Sequence, residues 1–224
     1  MTTVRCAPED TLCLSLAWNN LKYNKGSIGS IIVSLSNGSV CLLQPQEKAG
    51  FFVAKTWHAH DYEPWIATWD QWNPSIVYTG GDDLKMKGFE AGVTTIQAHP
   101  YQEHIIAVGS YDNTVRVFDV RSPLAALADV KVGGGVWRAK WHPHAERAND
   151  LLVACMHDGY KVVRFGEDGS NPRFSNGGHV HSRYDAHQSL AYGVDWSHAP
   201  GLPDGKSLIG CCSFYDHKMS LWRG

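Results

Sequence analysis

The chain has 224 residues, 43% hydrophobic and 19% charged, a globular mixture and not a disordered one. Twenty Lys and Arg stand against 22 Asp and Glu, a formal charge of -2, which excludes a sequence-independent nucleic-acid binder that displaces counterions with a basic surface. No apolar run approaches the ~18 residues of a membrane helix and no apolar signal-peptide core follows Met1, so a cytoplasmic protein with no membrane partner is expected.

From the N-terminus one series of elements recurs. The first copy reads Leu14–Trp18, Ile31–Val33, a turn at Asn37-Gly38 and Val40–Leu43. The second reads Trp65–Trp69, Ile76–Thr79, a turn at Gly80–Asp83 and a run ending in Phe89. The third reads Val93–Ile96, Ile105–Val108, a turn at Ser110–Asn113 and Val115–Asp119. The fourth reads Val136–Trp141, Leu151–Ala154, a turn at His157–Gly159 and Lys161–Val163. The fifth reads Tyr192–Trp196, Ser207–Gly210, a turn at Tyr215–His217 and Met219–Trp222.

Each copy holds three β-branched or aromatic runs joined by turn residues, with no room for a helix. The middle run is apolar at nearly every position, as a strand covered on both faces must be. These features predict an all-β WD-repeat β-propeller in one domain, 1–224, with repeats over about 12–45, 58–90, 91–121, 132–166 and 187–224. Equivalent first-strand ends are taken as Trp18, Trp72, Ala98, Trp141 and Trp196. The step from Trp72 to Ala98 is 26 residues, about 15 short of a WD repeat, so a gap or truncated blade is expected near Glu90, with no outer strand. Five copies suggest part of a seven-blade ring lacking N-terminal blades; an outer strand at Thr2–Cys6 closing five blades is the alternative. The six cysteines form no C-x-x-C pair, so neither a disulfide framework nor a zinc or redox centre is expected.

Several segments exceed what a scaffold needs: Trp65-Ile66-Ala67 before Tyr78–Asp83, Gly134–Arg138 before Trp141-His142-Pro143, Ala154–His157, and Cys212–His217 before Leu221-Trp222. These resemble the diphthine methyl ester hydrolases of the diphthamide pathway, WD-repeat proteins also labelled diphthine methyltransferases, from about Leu12 to Trp222. Members of that family carry further propeller sequence upstream and an intact outer strand where this chain is compressed. The resemblance implies a carboxylic ester hydrolase without a cofactor. Its protein substrate would be translation elongation factor 2 bearing methylated diphthine, a modified histidine with a trimethylammonium group and a methyl ester. A non-catalytic WD-repeat scaffold is the competing reading.

Ester hydrolysis needs a nucleophile or activated water, a base, and donors for the developing oxyanion. No G-x-S-x-G or H-E-x-x-H segment occurs, so the set must come from several blades. Loops entering first strands and turns between second and third strands share one face of a propeller. His157, on such a turn, is the preferred base, with His217 a further candidate. Cys155 and Ser213 are candidate nucleophiles, although Cys155 falls in a strand expected to be buried, where thiols are inert. The turn residues Asp83, Asp112, Asp158 and Asp216, with Asn37, recur and read as fold residues, with His60 and His187 as expected partners of Asp83 and Asp216.

Asp82 breaks that repeat. A trimethylammonium group donates no hydrogen bond and is recognised by aromatic faces and carboxylates. Trp65, Trp137, Tyr192 and Tyr215 are therefore the expected cage, with Asp82 as counter-charge, against the alternative that Trp137 and Tyr192 pack between blades. Arg138 is a candidate for an acidic surface. The His58/His60, His142/His144 and His179/His181 pairs lack a third ligand at fixed spacing, the last lying in an expected polar loop, so no metal is assigned.

Overall fold

The computed structural model describes residues 3–19, 28–46, 50–86, 88–166, 174 and 177–224. They form two compact units, 1–87 and 88–224. The division falls where the repeat is compressed.

In the first unit, β1 (Cys13–Trp18), β2 (Ile31–Leu35), β3 (Ser39–Pro45) and β4 (Phe51–His58) make an antiparallel sheet in chain order. β5 (Ile66–Trp69) and β6 (Val77–Gly80) pair as a hairpin. The second unit holds three sheets, again antiparallel and in chain order. They are β7 (Val93–Ala98), β8 (Ile105–Ser110), β9 (Thr114–Asp119) and β10 (Ala128–Lys131); β11 (Val136–Trp141), β12 (Asp150–Cys155), β13 (Tyr160–Phe165) and β14 (Gly178–Tyr184); and β15 (Ala191–Trp196), β16 (Leu208–Ser213) and β17 (Met219–Arg223). Five sheets therefore answer the five repeats.

The apolar middle runs have the expected cause. Every residue of β8 and of β12 is buried. Along β12, Leu151, Val153 and Cys155 enter a core with Val115, Val117, Val136 and Phe165, while Leu152 and Ala154 enter another with Val194, Ile209 and Trp222. Successive strand residues point to opposite faces, so a strand between two sheets must be apolar throughout.

A second device joins neighbouring sheets. The indole of Trp69 donates to the Ala17 carbonyl at 3.1 Å, that of Trp141 to Gln97 at 3.2 Å and that of Trp196 to Lys140 at 2.9 Å. Each Trp closes a first strand, and each acceptor lies on the first strand of the preceding sheet. The equivalent residue in β7 is Ala98, which has no donor, and it follows the junction at which the chain divides.

Four expectations are corrected. Trp69, not Trp72, ends the first strand of the second copy. Trp72 lies in the following loop, where its amide donates to Asp70 at 2.7 Å. The second copy has no third strand among its described residues, and the ring of Phe89 lies 6.1 Å from that of Phe118 on the next copy. His179 and His181 stand on β14, not in a loop. Among the described residues of 3–6 no strand forms, and Thr2 lies outside them.

The turn residues hold their own blades. Asp83 accepts from the His60 ring at 2.8 Å, and that ring also meets Thr79 at 2.9 Å. Asp112 receives the Glu90 amide at 3.2 Å and the Arg116 guanidinium at 2.9 Å. Asp216 takes the Ser213 hydroxyl and the Gln188 amide, leaving His187 to bond Ser220 at 2.7 Å and Tyr160 at 3.3 Å. The expected His187–Asp216 pair is thus replaced, because Ser213 and a main-chain donor already satisfy the carboxylate.

Candidate functional site

The site end of the second unit is built by an irregularity repeated in three sheets. Register shifts fall between Val93 and Thr95, between Val136 and Arg138, and between Ala191 and Gly193, leaving Thr94, Trp137 and Tyr192 as the extra residues. A bulge bends its strand and re-aims the side chain it carries. The Trp137 and Tyr192 rings meet at 4.8 Å between centroids, and the row extends through Phe214 (5.1 Å from Tyr192) to Tyr215 (4.8 Å from Phe214). Tyr111 lies 6.0 Å from Trp137 at the other end. Phe214 and Tyr215 are exposed, by 55% and 69%, so two rings of the row have open faces.

Main-chain bonds fix this end. Met156 donates its amide to Gly135 at 2.9 Å, Ala191 donates to the Met156 carbonyl at 2.8 Å, and Tyr215 donates to the Ser189 hydroxyl at 2.8 Å. Gly134 is required by close approach: a Cβ there would lie 2.9 Å from the Cys155 carbonyl oxygen.

Beside the row lies a cavity of about 890 Å³, walled by His157, Asp158, Arg183, Asp185, His187, Gln188, Ser189, Tyr215 and Asp216 among others. Its charges are mostly committed. Asp158 binds Lys161 and Arg183, the latter at 3.0 Å, and the Lys161 ammonium holds its carboxyl below the usual range. Arg183 also pairs with Asp185. His157 is exposed, and its imidazole has no hydrogen-bond partner among the described residues.

The other candidates fall in different places. Cys155 is fully buried, and burial pushes its thiol up to about 12, the opposite of an activated nucleophile. Ser213 is buried and spends its hydroxyl on Asp216. His217 is exposed on a left-handed turn residue, φ +53°. Arg138 is half-buried, and its Nη1 donates to the Thr94 and Trp137 carbonyls at 3.2 and 2.9 Å. Burial pushes its guanidinium below the usual arginine range.

Trp65 and Asp82 belong to the first unit, at one end of the β5–β6 hairpin, where the Asp82 amide donates to the Glu63 carbonyl at 3.2 Å. Both are half-buried. Tyr111 and Phe214 join the row without being among the residues expected from the sequence to bind. Their signal was positional, since each lies on the turn after the second strand, as Tyr215 does. Among the described residues, no three His, Cys, Asp or Glu side chains are grouped to hold a metal ion.

Comparison with known proteins separates fold from family. A chain in the crystal structure of a mitotic checkpoint complex superposes with a TM-score of 0.71 at 17% identity, covering 94% of this chain and 62% of that one. The fold class is thus all-β and of WD-repeat propeller type. No family model matches the sequence. A diphthine methyltransferase homolog from Dictyostelium discoideum is 37% identical over 241 aligned positions, 96% of this chain and 63% of that protein. The diphthine methyltransferase of Homo sapiens is 37% identical over 84% of this chain and 45% of its own length. That of Schizosaccharomyces pombe is 28% identical over 98% and 66%. The chain spans less than two thirds of the length of these relatives.

Proposed function

The chain belongs to the diphthine methyltransferase family, and from that premise we propose that it is a carboxylic ester hydrolase of diphthamide biosynthesis, removing the methyl ester from methylated diphthine on translation elongation factor 2. The observation that carries this reading is the pairing of open aromatic faces with an uncommitted imidazole: Tyr215 and His157 wall the same cavity.

The trimethylammonium group of the substrate rests against Phe214 and Tyr215, with each favourable cation–π contact worth about 0.5–2 kcal/mol. His157 accepts a proton from water as the water oxygen attacks the ester carbonyl. The acyl–oxygen bond then breaks, the His157 imidazolium gives its proton to the departing methoxide, which leaves as methanol, and the new carboxylic acid releases its proton to solvent as a carboxylate. Attack by water is favoured over a covalent step because the Cys155 thiol is buried and the Ser213 hydroxyl is bound to Asp216.

The test is methanol release, with loss of one methylene in mass, from methylated elongation factor 2 incubated with the purified, folded chain. Release that falls in a His157→Gln variant supports the reading. No release by a preparation that binds the factor would make the protein a WD-repeat scaffold instead.

A further inference from the structure

Main-chain bonds lay three walls of the cavity side by side. The Ala191 amide donates to the Met156 carbonyl at 2.8 Å, which sets the segment 188–191 against the turn that carries His157. The same segment is bonded to the turn that carries Phe214 and Tyr215. There the Phe214 amide donates to the Leu190 carbonyl at 3.2 Å, and the Tyr215 amide donates to the Ser189 hydroxyl oxygen at 2.8 Å. In return the Gln188 amide donates to Asp216 at 3.2 Å. Ser189 thus stands on the segment between the two turns, and it walls one cavity with His157 and Tyr215.

Attack of water on an ester places negative charge on the carbonyl oxygen, and a fixed donor aimed there is a large part of catalysis. Most donors around this cavity are otherwise engaged. Arg183 is held by Asp158 and Asp185. The two ring nitrogens of His187 meet Tyr160 and Ser220. The side chains of Gln188 and Tyr215 are exposed to bulk water. Ser189 differs from all of these. It is half-buried, its oxygen is fixed by the Tyr215 amide, and its hydroxyl hydrogen has no acceptor among the described residues. A hydroxyl that accepts a hydrogen bond is polarised toward donating its own. The accepted bond also engages a lone pair that a nucleophile would use, which favours a donor role over covalent attack.

We infer that the Ser189 hydroxyl is the oxyanion donor of this site, bonding the ester carbonyl oxygen as water adds on the His157 side and the ammonium rests on Tyr215. The inference rests on the esterase reading. Ser189 keeps its proton throughout, so the proton transfers remain those between water, His157 and methanol. The bond from the Tyr215 amide ties the donor to the turn that carries the cation-binding ring, which suits a ligand bearing both groups on one short side chain.

Two measurements test it. In methanol release from the methylated factor, Ser189→Ala should lower kcat about 100-fold and move KM by less than about twofold, and Ser189→Thr, which keeps the hydroxyl, should restore most of the rate. A Ser189→Ala variant that raises KM at unchanged kcat overturns the inference, because Ser189 then only anchors Tyr215. An acyl group found on Ser189 by mass after quenching also overturns it. The second measurement needs no turnover. The monomethyl ester of (trimethylammonio)methylphosphonate carries a tetrahedral anion beside the cation, and tetramethylammonium carries the cation alone. Both are titrated into the folded chain and followed by ligand-observed NMR. Ser189→Ala should weaken the phosphonate about tenfold and tetramethylammonium by less than about twofold. Equal phosphonate affinity in wild type and Ser189→Ala, both giving the same cooperative melt, overturns the inference. Ser189-dependent phosphonate binding without methanol release would remove the esterase reading and leave the anion donor. Methanol release at the wild-type rate by Ser189→Ala would do the reverse.

Discussion

The turn after β6 and the turn after β12 occupy the same place in two copies of one repeat, yet they spend their polar groups differently. In the first, Asp83, His60 and Thr79 close a hydrogen-bonded set, with Lys85 3.1 Å from the same carboxylate. In the second, Asp158 turns to Lys161 and Arg183, and the neighbouring His157 is left facing a cavity. A repeated polar residue that finds its partners inside the blade is part of the fold. A polar residue beside it with none is available for chemistry.

The largest expected effect separates these two histidines. His157→Gln should lower ester hydrolysis about 100-fold, the lower range for loss of a general base, without shifting the thermal midpoint. His60→Gln should do the opposite, costing about 1–2 kcal/mol through an unsatisfied Asp83 while leaving turnover per folded molecule intact. Turnover and urea titrations on both variants decide it. If His157→Gln destabilises and His60→Gln does not, the two turns have been assigned the wrong way round.

The same contrast extends to the sheets around the turns. Leu151 is fully buried in β12, between two sheets, and Leu151→Ala should cost about 3 kcal/mol. Val77, half-buried in the two-stranded hairpin, should cost only about 1 kcal/mol on truncation to Ala. Comparable shifts in the two urea midpoints would mean that the hairpin is as well packed as the four-stranded sheet.

These particulars also show what a linear sequence can and cannot reveal. The apolar middle runs were legible, because two-faced burial leaves β8 and β12 with hardly a polar side chain, whereas the third run expected in the second copy forms no strand among its described residues. The outer strands β4, β10 and β14 were not: β4 is almost wholly exposed and β14 mostly so, which leaves no burial pattern to read, and β10 alternates buried and exposed residues over only four positions. Trp69 and Trp72 compete for the same role by spacing, and only the bond to Ala17 distinguishes them. In the site, the turn positions of His157 and Tyr215 were readable from the repeat. Trp137, Tyr192 and Tyr215 were readable as neighbours at one end, but Tyr111 and Phe214 were not, and the contact of Trp137 with Tyr192 depends on register shifts that no residue pattern displays.

Acid should take the two units apart at different pH. His99 and His142 are buried in the second unit, and burial pushes both down to about 4. In the unfolded chain each takes a proton near pH 6.5. The stability from burying them neutral is therefore complete above 6.5 and is lost as pH falls toward 4, on the order of 2 kcal/mol for each. In the first unit, Asp83 is held below the usual carboxylate range; its burial opposes this, but the Lys85 bond and the His60 charge prevail. Its contribution is complete above about 3.9 and declines only below that. Amide exchange should thus accelerate in the second unit between pH 6.5 and 4 while the first holds its protection. Simultaneous loss in both would show that these imidazoles do not set the order.

The smallest effect probes the indole links. Trp141→Phe keeps most of the buried ring but removes the donor to the Gln97 carbonyl, and should cost about 1 kcal/mol. Trp69→Phe removes the equivalent donor to Ala17 and should cost a similar amount, because both rings are buried and both acceptors lie on the preceding first strand. The two values test whether the link is the same device in both units even though one of its sheets has only two strands. If Trp69→Phe is silent where Trp141→Phe is not, the hairpin is held by its packing on β1 and β2 and the shared indole geometry contributes nothing there. A matched loss would instead show that the short sheet retains the link of its longer counterparts, and that what β7 lacks at Ala98 is a stabilising bond as well as a large side chain.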